Sequence, residues 1–270
     1  MTGTLPYWHV DAFADRPFAG NQAAVMPLQT WLDDATLLAI AEENNFAETA
    51  FILRDETGAA DYELRWFTPT QEVRLCGHAT LASGHVVLTQ TGFLPDAGRV
   101  RFRTRHTGVL EVARSAAGYD LALPAIRTSR DEWPEAVALL GARPQEVWLN
   151  EDRYGIYLFA TEDEVRGLDP DLRGLGAFGN DQFICTAPGR QTDVVSRVFV
   201  PGGGVDEDSF TGSAHACLTP FWCERLGREN FTAFQASQRG GHATCRLDGD
   251  RAVLGGSCFT AVEGRFYLSG

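Results

Sequence analysis

The sequence contains no lysine: all 23 of its basic residues are arginine. An enzyme that forms a Schiff base needs a lysine amine, as does an enzyme that anchors pyridoxal phosphate, and the Walker-type phosphate loop also carries a lysine. These three classes of protein are therefore excluded. Any chemistry in this chain has to use side chains other than an amine.

Long apolar runs and an excess of positive charge are also missing. No stretch approaches the ~18 apolar residues of a membrane-spanning helix, and residues 1–10 lack the basic and apolar regions of a signal peptide. The net charge is −13 and the isoelectric point is about 4.9. We therefore expect a cytoplasmic protein whose partners are neither nucleic acids nor membranes.

Cysteine and histidine show no metal-binding pattern. The six cysteines are scattered without a C-x-x-C pair, and the six histidines have no ligand spacing with cysteine or carboxylate residues. We expect reduced thiols and no bound metal. The cysteines are Cys76, Cys185, Cys217, Cys223, Cys245 and Cys258.

An internal repeat organises the 270 residues into two halves. Both copies follow the pattern R-x-F-x-P, a short polar loop, E-x-x-x-x-G-x-A and then an apolar segment with helical character. The two glycines of the pattern lie half the chain apart, which predicts two similar domains. The first copy contains Arg65-Trp66-Phe67-Thr68-Pro69, Glu72 and Cys76-Gly77-His78-Ala79, and the second contains Arg197-Val198-Phe199-Val200-Pro201, Glu207 and Thr211-Gly212-Ser213-Ala214.

Two apolar helices and many short strands are predicted around the repeat. Residues 77–90 are apolar or small on nearly every side, which predicts an enclosed helix, and residues 212–227 resemble them, with Pro220 inside and Gly227 at the end. A further helix is predicted at 34–43, capped by Asp33 or Asp34. Strands are predicted at 62–67, 100–105, 109–113, 119–123, 154–160, 182–187, 194–200 and 252–254.

These elements predict an α+β fold of two pseudo-symmetric domains. In each domain, mostly antiparallel strands wrap round a central helix, and the two helix starts face a cleft. The first domain is expected to cover residues 1–124, completed by a C-terminal strand at 257–270, and the second to cover 125–256. Residues 123–131, beginning with Leu123-Pro124, are the predicted linker.

Each repeat places a glycine where its helix begins. Unsatisfied backbone N–H groups and the helix dipole attract a carboxylate or a developing oxyanion at such a place, and glycine lets a ligand approach closely. Gly77 and Gly212 are therefore candidates for anion binding. The alternative is that both glycines only allow a tight entry into the helix.

Four polar side chains are candidates for chemistry. Glu48 lies in a predicted strand that is otherwise apolar or small, so it either faces solvent or is partly buried and suited to proton transfer. His78 lies in the first turn of its helix, where it is either structural or an acid/base group. Asp208 precedes the second helix and either caps it or binds a ligand. Asn21 either binds a substrate carboxylate or holds a turn.

The motifs of this chain resemble those of the phenazine-biosynthesis isomerase-like (PhzF-like) family, which is related in fold to diaminopimelate epimerase. The matching segments occur in order over nearly the whole chain. They are Val10-Asp11-Ala12-Phe13, Arg16-Pro17-Phe18-Ala19-Gly20-Asn21, Asn45-Phe46-Ala47-Glu48-Thr49-Ala50-Phe51, Trp66-Phe67-Thr68-Pro69, Cys76-Gly77-His78-Ala79-Thr80, Ser196-Arg197-Val198-Phe199, Glu207-Asp208-Ser209-Phe210-Thr211-Gly212-Ser213-Ala214, Gln235-Ala236-Ser237 and Arg239-Gly240-Gly241.

The resemblance implies two β-barrels around central helices, an active site in the cleft between them, no cofactor and a homodimer. It also implies that Glu48 is the catalytic carboxylate that moves a proton on the substrate, and that His78 and Asp208 hold and polarise the substrate. Ligand-binding positions are implied at Asn21, Gly77, Gly212 and Ser213, and Thr211 is included with them.

The epimerase relatives use two facing cysteines, one at each helix start. This chain has Cys76 at the first start but Thr211 at the second. A threonine hydroxyl is too weak an acid to act as the partner base, so inversion by paired thiols is not expected. We expect Cys76 to pack as a small apolar residue.

The predicted function is that of a cofactor-independent isomerase that moves a proton and a double bond within a small unsaturated carboxylic acid. The resemblance suggests a cyclohexadiene amino acid, or a pyrroline or alkylproline precursor, in a specialised-metabolite pathway such as antibiotic biosynthesis. Two alternatives stay open: an amino-acid epimerase or racemase, and a non-catalytic member that binds a metabolite or a partner.

Overall fold

The computed structural model describes residues 3–116 and 118–268 of the chain. Contacts between residues divide the chain into two compact units, Met1–Ala122 with Gly255–Gly270, and Leu123–Leu254. Each unit consists mostly of strands, with a few helices. The predicted α+β class is therefore confirmed.

The first unit is built from a mainly antiparallel sheet and two helices. α1 is Asp34–Asn44 and α2 is Gly77–Thr89. The strands are β1 Thr4–Ala12, β2 Asn21–Leu28, β3 Glu48–Arg54, β4 Tyr62–Phe67, β5 Glu72–Val73, β6 Arg99–Thr104, β7 Val109–Ser115, β8 Gly118–Pro124 and β18 Cys258–Tyr267.

The strands of the first unit pair in the order β18-β1-β2-β3-β4-β6-β7-β8, with β5 beside β4. The β2–β3 and β4–β6 pairs are parallel, because α1 and α2 carry the chain back between their strands. α2 packs against β1, β2, β3, β6, β7 and β18, and its residues from Gly77 to Leu88 are buried except His85. The sheet therefore curves around α2.

The second unit repeats this plan. Its helices are α3 Pro134–Leu139, α4 Glu162–Arg166, α5 Leu172–Gly176 and α6 Gly212–Leu226, with a 3₁₀ turn at Pro201–Gly203. Its strands are β9 Ser129–Asp131, β10 Glu146–Leu149, β11 Tyr154–Leu158, β12 Gln182–Pro188, β13 Val194–Val200, β14 Val205–Glu207, β15 Asn230–Gln235, β16 Gly241–Asp248 and β17 Arg251–Gly256.

The strands of the second unit pair in the order β9-β10-β11-β12-β13-β15-β16, with β14 beside β13. Only β11–β12 and β13–β15 are parallel among these pairs, and helices again connect them. α6 packs against β11, β15 and β16 and is buried over most of its length. The two units therefore share one alternation of parallel and antiparallel pairs around one central helix.

The arginine and glutamate of the sequence repeat form the same ion pair in both units. Arg65 donates to Glu72 through Nε and Nη2, at 2.8 and 2.7 Å, and Arg197 donates to Glu207 in the same way, at 2.7 and 2.9 Å. Each guanidinium also lies 4.9 Å from the ring of the phenylalanine two residues further on. The pattern R-x-F…E thus encodes a fork that ties the strand before each central helix to the loop that leads into it.

The predicted helices agree with the structure to within one residue at each end. Asp33 caps α1 by accepting the N–H of Thr36, and Gly227 ends α6 with a φ of 64°. The predicted linker is the main difference, because β8 runs to Pro124 and β9 occupies Ser129–Asp131. β9 is exposed throughout and lacks the apolar alternation by which a strand is recognised.

Over the described residues, no helix combines the length and the apolar character needed to cross a bilayer. All six cysteines are free thiols, five of them buried.

Candidate active site

Asn21, Glu48 and His78 lie together where two strands and the central helix of the first unit begin. Asn21 is the first residue of β2, and Glu48 is the first residue of β3. These strands run parallel, with Ala23 opposite Glu48, so both residues lie at the same end of the β2–β3 pair. His78 is the second residue of α2 and is 3% exposed. The start of the central helix therefore brings an imidazole to the two strand ends.

The imidazole of His78 has a polar neighbour on each ring nitrogen. Its Nε2 lies 3.1 Å from Oε2 of Glu48, and its Nδ1 lies 3.2 Å from Nδ2 of Asn21. The contact with Glu48 is an ion pair without good alignment, because neither Nε2 nor Oε2 has a hydrogen-bond partner among the described residues. The site therefore holds a buried proton donor and a buried acceptor that are close and unsatisfied.

The protonation state of His78 follows from its neighbours. Burial of the imidazole lowers its pKa, but the negative charges of Cys76, in its thiolate form, and of Glu48 raise the pKa well above 6.5. Burial raises the pKa of the Cys76 thiol to about 11, so that thiol is neutral at pH 7. In this arrangement Nε2–H of His78 faces the Glu48 carboxylate, and Nδ1 accepts from Nδ2 of Asn21 at 3.2 Å.

Cys76 is buried, as predicted, but it also belongs to the polar cluster. Its Sγ lies 3.6 Å from Nδ1 of His78. Ligand atoms of Glu48, Cys76 and His78 all lie within 4.8 Å of one another, a set of donors that zinc accepts. The sequence spacing did not reveal this cluster, because Glu48 comes from a distant strand. A neutral thiol is a poor ligand, and the expectation of no metal stays a prediction.

The second group of predicted residues surrounds the start of α6. Thr211 precedes this helix, and its hydroxyl donates to Oδ2 of Asp208 at 2.6 Å. The buried Gln235 holds both residues, since its Oε1 accepts the Thr211 N–H at 2.9 Å and its Nε2 donates to the Asp208 carbonyl at 2.7 Å. Gln235 lies in a motif that the sequence pointed out, but its part in holding Asp208 became visible only in three dimensions.

Gln182 is a site candidate that the sequence analysis missed. It begins β12, as Glu48 begins β3, and its amide lies 3.2 and 3.3 Å from the hydroxyl of Ser213, the second residue of α6. Gln182 and Ser213 thus occupy the positions that Glu48 and His78 occupy in the first unit. The second unit replaces an acid–base pair by a neutral amide–hydroxyl pair.

His215 also escaped the sequence analysis. It is fully buried in the first turn of α6, its Nδ1 lies 2.8 Å from the carbonyl oxygen of Thr211, and its ring stacks on Phe210 at 4.3 Å. Burial lowers the pKa of His215 to about 4, so the ring is neutral at pH 7 and its Nδ1 donates to Thr211.

Neither Cys76 nor Thr211 caps its helix with its side chain, and anion binding at Gly77 and Gly212 stays a prediction.

Comparison with known proteins gives the family. The model of the family described as "Phenazine biosynthesis-like protein" matches residues 10–264. The chain belongs to this family. An uncharacterised isomerase of Pseudomonas aeruginosa is 42% identical over 268 residues, which covers 98% of this chain and 99% of that protein.

Solved structures support the same assignment. A crystal structure of a PhzF-family phenazine biosynthesis protein from Enterococcus faecalis has a TM-score of 0.90 at 38% identity, over 98% of this chain and 100% of the other. A hydroxyproline epimerase of Agrobacterium vitis, with bound trans-4-hydroxy-L-proline, shares the fold with a TM-score of 0.59 at 13% identity, over 99% and 93% of the two chains. The chain therefore shares its fold both with this PhzF-family protein and with the hydroxyproline epimerase.

Proposed function

We propose that this protein is a cofactor-independent isomerase that moves a proton within a small unsaturated carboxylic acid, with Glu48 as the proton shuttle. The observation that carries the proposal is the contact of 3.1 Å between the Glu48 carboxylate and the buried His78 imidazole, in which both facing atoms lack a hydrogen-bond partner among the described residues. A substrate group can complete what the protein leaves unsatisfied.

The proposed reaction needs one base that becomes an acid. Glu48 takes a proton from an activated carbon, and the conjugated system then receives the proton at another carbon, so that the double bond moves and no electron acceptor is needed. His78 faces the Glu48 carboxylate through Nε2 and stabilises negative charge that develops on the substrate. Asn21 holds the imidazole in place from the other side.

Asp208, Thr211, Gly212 and Ser213 are proposed to bind polar groups of the substrate. Support for this part comes from the network that Gln235 builds at the start of α6, which fixes Asp208 and Thr211 before any ligand arrives. Preorganised groups of this kind lose little conformational entropy on binding. A homodimer, a cytoplasmic location and a role in a specialised-metabolite or antibiotic pathway also stay predictions.

Glu48→Gln tests the proposal. The amide cannot accept a proton, so we expect a loss of about 10²–10⁴-fold in turnover with a normal fold. Turnover is measured by ultraviolet absorption and by NMR in D₂O, with a panel of acids that includes a cyclohexadiene amino acid and a pyrroline carboxylic acid. A shuttle that exchanges with solvent leaves deuterium on a product carbon.

Glu42→Gln, an exposed carboxylate of α1, is the matched control and should keep full activity. Near-normal turnover in Glu48→Gln would remove Glu48 from the mechanism. An amino-acid epimerase would change optical rotation without a change in ultraviolet absorption. A non-catalytic member of the family that only binds a ligand would change neither optical rotation nor ultraviolet absorption.

A further inference from the structure

Three polar side chains of the second unit meet beside the start of α6. Tyr154 is the first residue of β11 and Gln182 is the first residue of β12, and the two lie opposite each other in this parallel pair. The amide of Gln182 lies 3.2 and 3.3 Å from the hydroxyl of Ser213. Burial raises the pKa of Tyr154, and a hydrogen bond with Ser213 opposes this rise. Tyr154, Gln182 and Ser213 are called the neutral cluster below.

The two strand starts that carry the neutral cluster are held together by the residues that precede them. Arg153 comes directly before Tyr154, and its Nη1 donates to the carboxylate of the buried Asp181 at 2.8 Å. Asp181 comes directly before Gln182, whose backbone N–H donates to the carbonyl of Arg153 at 2.9 Å. The neutral cluster is therefore preorganised, and a ligand that binds to it has little ordering to do.

The neutral cluster keeps hydrogen-bonding capacity for a ligand. Both polar atoms of the Gln182 amide face the same Ser213 oxygen, at distances above 3.1 Å. A primary amide has two donors and an acceptor with two lone pairs, and a single hydroxyl uses only part of this capacity. All three side chains are half-buried rather than enclosed, so a ligand group can reach them.

The charges around the neutral cluster favour an uncharged ligand group. The flanking Arg153 is already paired with Asp181, and the negative charge of Asp152 acts on the phenol of Tyr154. A carboxylate placed at the cluster would therefore be repelled. A cation would exchange its hydration for three neutral partners, which is unfavourable. An uncharged oxygen matches the cluster, because the amide and the hydroxyls offer both donors and acceptors.

We propose that Tyr154 and Gln182 determine substrate specificity by binding, together with Ser213, an uncharged hydroxyl or carbonyl group of the substrate. This inference rests on the proposed function and deepens it. The substrate carries an uncharged polar group at this place, and acids with a second carboxylate or an ammonium group there are rejected. A site that hydrogen-bonds such a group discriminates strongly, because an analogue that lacks the group leaves polar atoms of the protein unpaired.

The binding of four small ring acids tests the proposal, with isothermal titration calorimetry at pH 7 as the measurement. The probes are benzoate and three derivatives with a substituent at the 3-position: 3-hydroxybenzoate, isophthalate and 3-(aminomethyl)benzoate. We expect the wild type to bind 3-hydroxybenzoate about three- to tenfold more tightly than benzoate. The two probes with a second charge should bind at least about tenfold more weakly than 3-hydroxybenzoate.

Two substitutions of Gln182 should change this order of affinities. Gln182→Leu removes the hydrogen bonds, so 3-hydroxybenzoate and benzoate should bind within about twofold of each other. Gln182→Lys supplies a cation, so isophthalate should bind about tenfold more tightly than 3-hydroxybenzoate. Gln191→Lys is the matched control, because it adds the same charge at an exposed residue beyond the opposite end of β12, and it should keep the wild-type order. Circular dichroism checks that each variant is folded.

Three results would overturn the proposal. These are a wild type that binds none of the probes at about 10 mM, a wild type that binds either doubly charged probe as tightly as 3-hydroxybenzoate, and a folded Gln182→Lys that keeps the wild-type order. Glu48→Gln separates this inference from the proposed function, because it should lose turnover and keep the wild-type order of affinities. The expected order of affinities without any isomerase turnover would overturn the proposed reaction and leave the roles of Tyr154 and Gln182 intact.

Discussion

Three buried histidine and cysteine side chains show how burial and charge compete at single residues. Burial, helped by the nearby Glu48, raises the pKa of the Cys76 thiol, and burial lowers the pKa of the His215 imidazole, so both groups are neutral at pH 7. At His78 the charges beside the ring outweigh burial, and the pKa of the imidazole is raised. The difference lies in the neighbour: His215 faces the carbonyl of Thr211 and the ring of Phe210, whereas His78 faces the Glu48 carboxylate.

His215 should make the protein sensitive to acid. Its pKa is about 4 in the folded chain but near 6.5 in the unfolded chain, so the unfolded state binds the proton more readily. Stability is therefore complete above pH 6.5 and falls as the pH decreases toward 4, by roughly 3 kcal/mol for this residue. Urea unfolding at pH 7 and at pH 4 measures the loss.

His215→Gln should reduce the difference in unfolding free energy between the two pH values. The control is His106→Gln, which changes an exposed histidine of the first unit and should leave the difference as it is in wild type. An equal pH dependence in wild type and in His215→Gln would show that His215 is not the titrating group.

The connection between β1 and β2 places Asn21, and it does so with an unusual backbone. Phe13, Phe18 and Gly20 all have positive φ values, of 55°, 67° and 64°. The side chain of the buried Asp11 holds the loop by accepting the N–H of Phe18 at 2.9 Å. Strained backbone of this kind persists only where the surroundings fix it, which fits a loop that delivers a residue to a candidate active site.

Gly20 is the position in this loop where a side chain has no room. A Cβ there would overlap the carbonyl oxygen of Ala12 and lie 2.9 Å from the backbone nitrogen of Ala14. We expect Gly20→Ala to lower the unfolding free energy by about 3 kcal/mol, since it combines positive φ with a clash against backbone.

Gly58→Ala is the matched control for Gly20→Ala. Gly58 has a φ of 78°, and a Cβ there meets nothing within 4 Å, so the cost should be only about 1 kcal/mol. Urea denaturation of both variants measures the difference. Equal losses would mean that the β1–β2 loop relaxes around the new methyl group.

Elements with a strong local signal could be predicted from the sequence, and α2 and α6 are examples. Both helices are apolar all round and begin at a glycine of the repeat. α2 ends at the polar Gln90, and α6 ends at Gly227. β9 was missed because a three-residue exposed edge strand carries no apolar pattern. β9 is a strand because it pairs with β10, where Ser129 lies opposite Leu149. The sequence of either segment alone does not predict this pairing.

The candidate site was predictable only in part for a related reason. Glu48 and His78 were recognised through family motifs, but their contact depends on how β3 and α2 pack. Gln182 had no motif at all. It becomes visible once β12 is matched to β3 on the scale of the whole molecule, where the two units follow the same strand order.

The match between the units makes a prediction that needs no substrate. Gln182→Glu combined with Ser213→His should rebuild in the second unit the acid–base pair of the first. We expect the imidazole introduced at position 213 to have a pKa about one unit higher in the double variant than in Ser213→His alone, because a carboxylate then faces it. NMR titration measures both values.

Gln191→Glu combined with Ser213→His is the control for this graft. Gln191 is exposed and follows the opposite end of β12, so its carboxylate should leave the imidazole unaffected. If Gln182→Glu raises the pKa of the imidazole at position 213 no more than Gln191→Glu does, the first residues of β3 and β12 do not occupy equivalent positions.

The Arg65–Glu72 and Arg197–Glu207 forks bear on the ancestry of the molecule. The two pairs match down to the phenylalanine ring beside each guanidinium, as duplication of one ancestral gene segment would produce. The contacts at the two helix starts differ instead: glutamate and histidine meet in the first unit, and glutamine and serine meet in the second. A duplication of this kind would keep the supporting ion pair in both units and leave the residues at the two helix starts free to differ.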